Sequence, residues 1–127
     1  MKNYSLKYKN KLITIITVVF NGEKTIDKTI KSVLRQSHKK LEHIIIDGKS
    51  NDNTLNIIKK YKDKRLKYIS EKDSGIYHAM NKGIKIASGQ IIGILNSDDY
   101  YHTDALKIVN NYFLNNNNID FLFGSVK

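Results

Sequence analysis

The apolar positions fall into short blocks of two kinds, and the two kinds alternate. Residues 12–20, "LITIITVVF", and 42–47, "EHIIID", are nearly continuous runs of β-branched and aliphatic residues. That is the pattern of strands covered on both faces. Between them, residues 24–36 repeat with helical spacing and set Ile26, Ile30, Val33 and Leu34 on one side. Residues 50–61 predict a second helix, with Ser50 or Asn51 near its N-cap and Leu55, Ile58 and Tyr61 on one face. A short strand follows at 66–70. A helix at 75–88 carries Ile76, Met80, Ile84 and Ala87 inward, with Gly89 suited to the C′ position. A strand is expected at 90–95. A last helix is capped by Thr103, packs Leu106, Val109 and Phe113, and is broken by "NNNN" at 115–118. A fifth strand is expected at 119–124.

Strands alternating with helices at this spacing predict an α/β fold: a Rossmann-like, mostly parallel sheet with helices on both faces. The length of 127 residues suits one domain. Residues 1–11 read as a polar tail, and residues 12–127 as the domain.

Composition adds limits. Cysteine is absent, so disulfides and thiolate metal sites are excluded, and the chain is expected to be cytoplasmic. The longest apolar run, residues 13–20, is far short of the ~20 residues that span a bilayer. The formal net charge is +10. The lysines are spread out, which suits a solvated surface; the charge would also favour peripheral contact with an anionic membrane, at its inner face. A basic nucleic-acid-binding domain is a competing reading. It lacks helix-turn-helix, zinc-finger and aromatic RNP signatures, so nucleic acid is not an expected partner.

Candidate chemistry gathers at the strand ends, where open α/β sheets bind ligands. The first strand ends in Phe20-Asn21-Gly22 and the second in Asp47-Gly48. The third runs into Glu71-Lys72-Asp73-Ser74-Gly75, and the fourth into Asn96-Ser97-Asp98-Asp99. The phosphate cradles G-x-x-x-x-G-K-[ST] and G-x-G-x-x-G do not occur. Adjacent carboxylates at Asp98 and Asp99 would repel unless a cation separates them. Hard oxygen ligands suit Mg²⁺ or Mn²⁺, which commonly combine one or two carboxylates with substrate phosphates. The plainer alternative is that one aspartate caps the next helix and the other is solvated.

Three segments, in order, resemble the family-2 glycosyltransferases, whose fold is called GT-A. "ITIITVVFNGEKTIDKTIKSVLRQS" resembles the family's opening strand and helix. "IIIDGKSNDNT" resembles its D-G-x-S-x-D-x-T segment, and "DSGIYHAMNKGIKIASGQIIGILNSDD" the approach to its acidic motif. The resemblance implies inverting transfer of a sugar from a nucleotide-diphosphate donor, usually UDP-linked, to a glycan or lipid-linked acceptor in surface polysaccharide synthesis. It implies a nucleotide pocket lined by Val18, Phe20 and Asn21, with Asp47 and Gly48 at its floor. Asn81 and Lys82 would contact the donor, with Asn96 and Ser97 leading into the acidic pair. Asp98 would meet a divalent cation, Mg or Mn, and Asp99 would orient the donor sugar or a metal-bound water. Gly48 stands where many members have a second aspartate, and His78 where an aspartate is common. The catalytic base of the family is expected beyond Lys127, which leaves a non-catalytic nucleotide-binding fragment as an alternative. The fifth strand would be an open sheet edge able to self-associate.

Overall fold

The computed structural model describes residues 10–116, 118–122 and 124. Four strands form one all-parallel sheet: β1 (Ile13–Val19), β2 (Leu41–Asp47), β3 (Leu66–Ser70) and β4 (Ile91–Ile94). Their order is β3-β2-β1-β4. The helices are α1 (Ile26–Leu34), α2 (Thr54–Lys59), α3 (Ile76–Ile86) and α4 (Ala105–Asn115). The α/β reading, with a parallel sheet and helices on both faces, is borne out.

β1 and β2 are buried at every position. Alternation divides their side chains between two layers. Ile13, Ile15, Val19 and Ile45 pack with Ile26, Ile30 and Val33 of α1, Ile58 of α2 and Leu106 of α4. On the opposite face, Ile16, Val18, Ile44 and Ile46 pack against Ala79 of α3. Each fully buried isoleucine contributes roughly 2 kcal/mol. The two central strands hold six at 1% exposure or less, so they carry the core, and the shorter β3 and β4 attach to it.

Several boundaries and faces differ from expectation. In α3 the buried residues are Ala79 and Gly83, whereas Ile76 and Ile84 stand 50% and 44% exposed. A Cβ on Gly83 would lie 2.6 Å from Ile16 Cγ2. The helix therefore lies so close to β1 that small residues make the contact, and the larger side chains flank it. Gly89 is not a left-handed cap: Gly75 alone among the described glycines has positive φ. Gly89 is needed because a Cβ there would meet Thr14 N at 2.6 Å, and its N–H donates to Thr14 Oγ1 at 2.8 Å. α2 begins at Thr54, four residues after Ser50, with Asn53 at its N-cap position; the Ser50 hydroxyl donates to Asp47 and accepts from Asn21 N instead of a helix N–H. Asp104, not Thr103, occupies the N-cap position of α4.

The expected fifth strand does not form. Residues 119–122 and 124 lie outside any strand, and Phe121 is 81% exposed. Among the described residues no strand pairs with this segment, and residue 123 lies outside them; without a ladder the apolar Phe121 stays exposed. Among the described residues the two edges of the sheet are therefore β3 and β4. Most of the expected polar tail falls outside the described residues. Lys11 is docked, donating its N–H to Asn110 Oδ1 of α4 at 3.0 Å.

Two buried ionisable groups face the sheet interior. His43 on β2 is fully buried, with Nε2 bonded to Thr17 Oγ1 at 2.9 Å and Nδ1 without a partner among the described residues. Burial pushes its pKa from 6.5 down to about 3. Desolvation pushes the Glu42 carboxyl up, but donors from Thr14, Ser88 and Lys67 together hold it below the usual range. Below pH 6.5 the unfolded chain takes up a proton that folded His43 refuses, so stability falls as pH falls. The Glu42 contribution is lost further down, below 4.5. Between pH 6.5 and 4.5 His43 should therefore cost about 2 kcal/mol of stability. Thermal melts of a Thr17→Val, His43→Leu double variant, which removes both bonding partners, should show a flatter dependence over that interval than the native chain. Parallel slopes would disprove the assignment.

Candidate functional site

In the order β3-β2-β1-β4, the chain leaves β1 in one direction to β2 and β3 and later returns to its other side as β4. Strand order therefore reverses at β1, and in open α/β sheets the ligand crevice lies at the carboxyl edge of such a point. The structure brings the polar strand ends together there. A Cβ on Gly22 would lie 3.7 Å from Ser97 Oγ, and one on Gly48 3.7 Å from Phe20 Cδ2 and 2.9 Å from Asp73 Oδ2. One continuous edge thus runs from Asp73 through Gly48, Phe20, Asn21 and Gly22 to Ser97.

The first two loops are laced by hydrogen bonds between side chains and backbone. Asn21 holds φ at 51°, a left-handed conformation that asparagine tolerates better than most residues. Its N–H donates to Ser50 Oγ at 2.8 Å, and its Oδ1 accepts from Asn51 N at 2.9 Å. Gly22 N donates to Thr54 Oγ1 at 2.9 Å. Glu23 N donates to Asp52 Oδ2 at 3.2 Å, while Glu23 Oε2 accepts from Asn53 N at 3.0 Å. Asp47 is fully buried beneath this lattice and accepts from Ser50 Oγ at 2.5 Å and Ser70 Oγ at 2.7 Å. In the segment "DGKSNDNT", Asp47, Ser50, Asp52 and Thr54 therefore all bind within the protein. Gly48 and Phe20, the latter 62% exposed, present free surface.

The acidic loop is held from below. Asp99 N donates to Asn96 O at 3.1 Å, closing a turn in which Asp98 is exposed and Asp99 half-buried. The buried Thr29 hydroxyl, on α1, reaches Ser97 O at 2.9 Å and Asp99 O at 2.6 Å. A hydroxyl has one proton, so these two carbonyls share it with the more distant Thr25 O at 3.4 Å. Thr29 went unnoticed in the sequence because nothing distinguishes it from an ordinary helix threonine. Ser50 read as a helix cap, and Asp73 as one more polar loop residue.

Not every expected residue meets the crevice in the same way. Val18 packs into the core beneath it. On α3, Lys82 is tied to the loop after β3, with Nζ 2.9 Å from Glu71 Oε1 and 3.2 Å from Lys72 O. Asn81 is exposed beside it. His78 Nδ1 accepts from Ser74 N at 2.8 Å, which steadies the entry to α3. Among the described residues, no group of three or more His, Asp or Glu side chains is gathered into a metal cage. Asp98 and Asp99 therefore have no third His, Asp or Glu beside them among the described residues.

Comparison with known proteins agrees with this architecture. The model of "Glycosyl transferase family 2" matches residues 14–126, and the chain belongs to that family. It is 36% identical over 115 residues to the UDP-Glc:alpha-D-GlcNAc-diphosphoundecaprenol beta-1,3-glucosyltransferase WfgD of Escherichia coli, covering 90% of this chain and 45% of that protein. It is 38% identical over 119 residues to the poly(ribitol-phosphate) beta-N-acetylglucosaminyltransferase TarP of Staphylococcus aureus, covering 90% and 36%. Among solved structures, S. aureus TarS 1-349 in complex with UDP-GlcNAc superposes with a TM-score of 0.75 at 28% identity, over 80% of this chain and 30% of that one. The mannosyltransferase PcManGT of Pyrobaculum calidifontis, in complex with GDP-Man and Mn²⁺, shares the fold at a TM-score of 0.72 and 23% identity. The chain spans less than half the length of these relatives.

Thr29→Val keeps the shape of the side chain and removes the shared proton. Two carbonyls of the acidic loop then lose their donor, at a cost of about 1–3 kcal/mol. A lower melting temperature should be accompanied by faster amide hydrogen exchange confined to residues 96–100. Unchanged exchange there would show that the loop is held by other means.

Proposed function

We propose that this chain is the donor-binding part of an inverting glycosyltransferase that binds a UDP-sugar together with Mg²⁺ or Mn²⁺. The observation that carries the reading is the convergence of Phe20-Asn21-Gly22, Gly48, Asp73 and Asn96–Asp99 on one edge, across the point where the strand order reverses. The nucleoside end suits the side of β1 and β2. There the exposed Phe20 ring offers an apolar surface, and Gly48 leaves room beside the Asp73 carboxylate, an acceptor for a base N–H. The diphosphate suits the side of β4, where Asp98 and Asp99 would hold the cation. The cation would supply Lewis-acid stabilisation of the departing diphosphate. Asp47 keeps the floor in shape through Ser50 and Ser70, and Thr29 fixes the acidic loop below the ligand.

The names of the relatives support a glycan or lipid-linked acceptor and a place in surface polysaccharide synthesis. A location at the cytoplasmic face of the membrane follows as part of the same proposal, since polyprenyl-diphosphate acceptors reside in a bilayer. No helix among the described residues is long and apolar enough to cross a membrane.

Calorimetric titration with UDP in Mn²⁺, and again in EDTA, tests the reading. Affinity should fall by about tenfold or more without metal, and Asp98→Ala should abolish the difference while leaving the melting curve unchanged. Equal affinity in both conditions for the native chain would remove the metal role. Asp47→Ala should weaken UDP binding even in EDTA and lower stability by about 1–3 kcal/mol, because two serine hydroxyls lose their acceptor. An unaltered affinity would separate Asp47 from the pocket.

A further inference from the structure

On the outer side of α1, away from the crevice, a groove of about 340 Å³ runs between that helix and the segment after the acidic loop. Its lining includes Lys28, Lys31 and Arg35 from the helix side, and Tyr100, Tyr101 and Thr103 facing them. The three cations recur at intervals of three and four residues, so they form one stripe. A single carboxylate, Asp27, accompanies them, and it is paired with Lys31 at 2.8 Å and with the Tyr61 hydroxyl. Lys28 Nζ lies 3.9 Å from the centre of the Tyr100 ring. Neither Lys28 nor Arg35 has a carboxylate within ion-pair distance among the described residues. Three cations against one acid leave the groove with a charge of +2.

Basic residues near the end of α1 do favour its dipole, which accounts for Lys31 and Arg35 in part. It does not account for Lys28, one turn from the start, or for the concave tyrosine wall opposite. A guanidinium fork and an ammonium without a carboxylate partner, both on the helix wall of a groove of this size, match a tetrahedral dianion better than a single carboxylate. We propose that this groove is a metal-independent site for a phosphoryl group, distinct from the donor crevice. The phosphoryl group belongs either to a soluble phosphorylated molecule or to a lipid headgroup. The site is joined to the acidic loop by sequence on both walls: Lys28 precedes Thr29, which holds that loop, and Tyr100 follows Asp99. An anion drawn to Lys28 competes with its contact to the Tyr100 ring and so bears on the backbone that follows Asp99. The proposal does not rest on the donor reading, and its test uses neither nucleotide nor metal.

The test is a two-dimensional amide NMR titration of the whole chain with sodium pyrophosphate in EDTA. Saturable shifts should concentrate at Lys28, Lys31, Arg35, Tyr100, Tyr101 and Thr103. A Lys28→Glu, Arg35→Glu double variant should weaken binding by about tenfold or more. Lys28→Gln, Arg35→Gln provides the same comparison if charge reversal disturbs folding. Sedimentation with phosphatidylglycerol–phosphatidylcholine vesicles, against phosphatidylcholine alone, separates the sources. Loss of phosphatidylglycerol-dependent binding in the double variant identifies a headgroup. Pyrophosphate binding without vesicle binding identifies a soluble ligand. Shifts confined to residues 96–99, shifts that spread over all lysines without saturating, or equal binding by the variants would each overturn the proposal.

Discussion

Everything in this fold hangs on β1. It is buried at all seven positions and flanked by parallel partners on both sides, β2 at every residue and β4 over its first four. Over those first four residues the backbone is paired on both sides, so the ladders have to form together with the apolar layers above and below. Because both neighbours are parallel, all the connecting loops that follow strands emerge at one edge. Because β4 joins β1 only after the chain has passed through β2 and β3, the strand order reverses at β1. The crevice is thus a consequence of strand order, and Asn21 and Gly22 lie in it because they follow β1 directly.

The edge is rigid for a second reason. Short polar side chains at strand ends can serve ligands or serve the backbone, and here most of them serve the backbone. Ser50, Asp52 and Thr54 satisfy N–H groups of the neighbouring loop or their own, and Asp47 collects the hydroxyls of Ser50 and Ser70. Phe20, Gly48 and Asp98 are left to face outward beside that lattice, with the second oxygen of Asp73, whose Oδ1 accepts from Gly75 N at 3.0 Å. This division separates residues that shape a pocket from residues that face into it.

Most of the layer structure was legible in the sequence. Continuous Ile and Val runs at 13–20 and 42–47 can be stable only when covered on both sides, and the helical spacing of Ile26, Ile30 and Val33 marks a helix that covers one of them. The motif order identified the family, because the spacing of its polar residues is tied to the strand ends that carry them. Failures of the reading lie where a contact, not a pattern, decides. α3 turned its small face inward because Gly83 lets it approach Ile16, and periodicity ranks side chains by size without knowing the distance between layers. Residues 119–124 have a strand composition, but a strand exists only with a partner, and the described residues supply none.

The sequence alone therefore determined the alternation of strands and helices, the family and the set of polar residues from which a site could be built. It did so because periodicity and local turn chemistry are properties of neighbours along the chain. The tertiary structure decided which of those residues are spent on holding loops and which face outward. It also brought Thr29 under the acidic loop and set Lys28 and Arg35 opposite Tyr100. Those pairings join residues separated by some 65 to 72 positions in the chain, so they depend on the order in which strands meet and leave no mark on any local pattern.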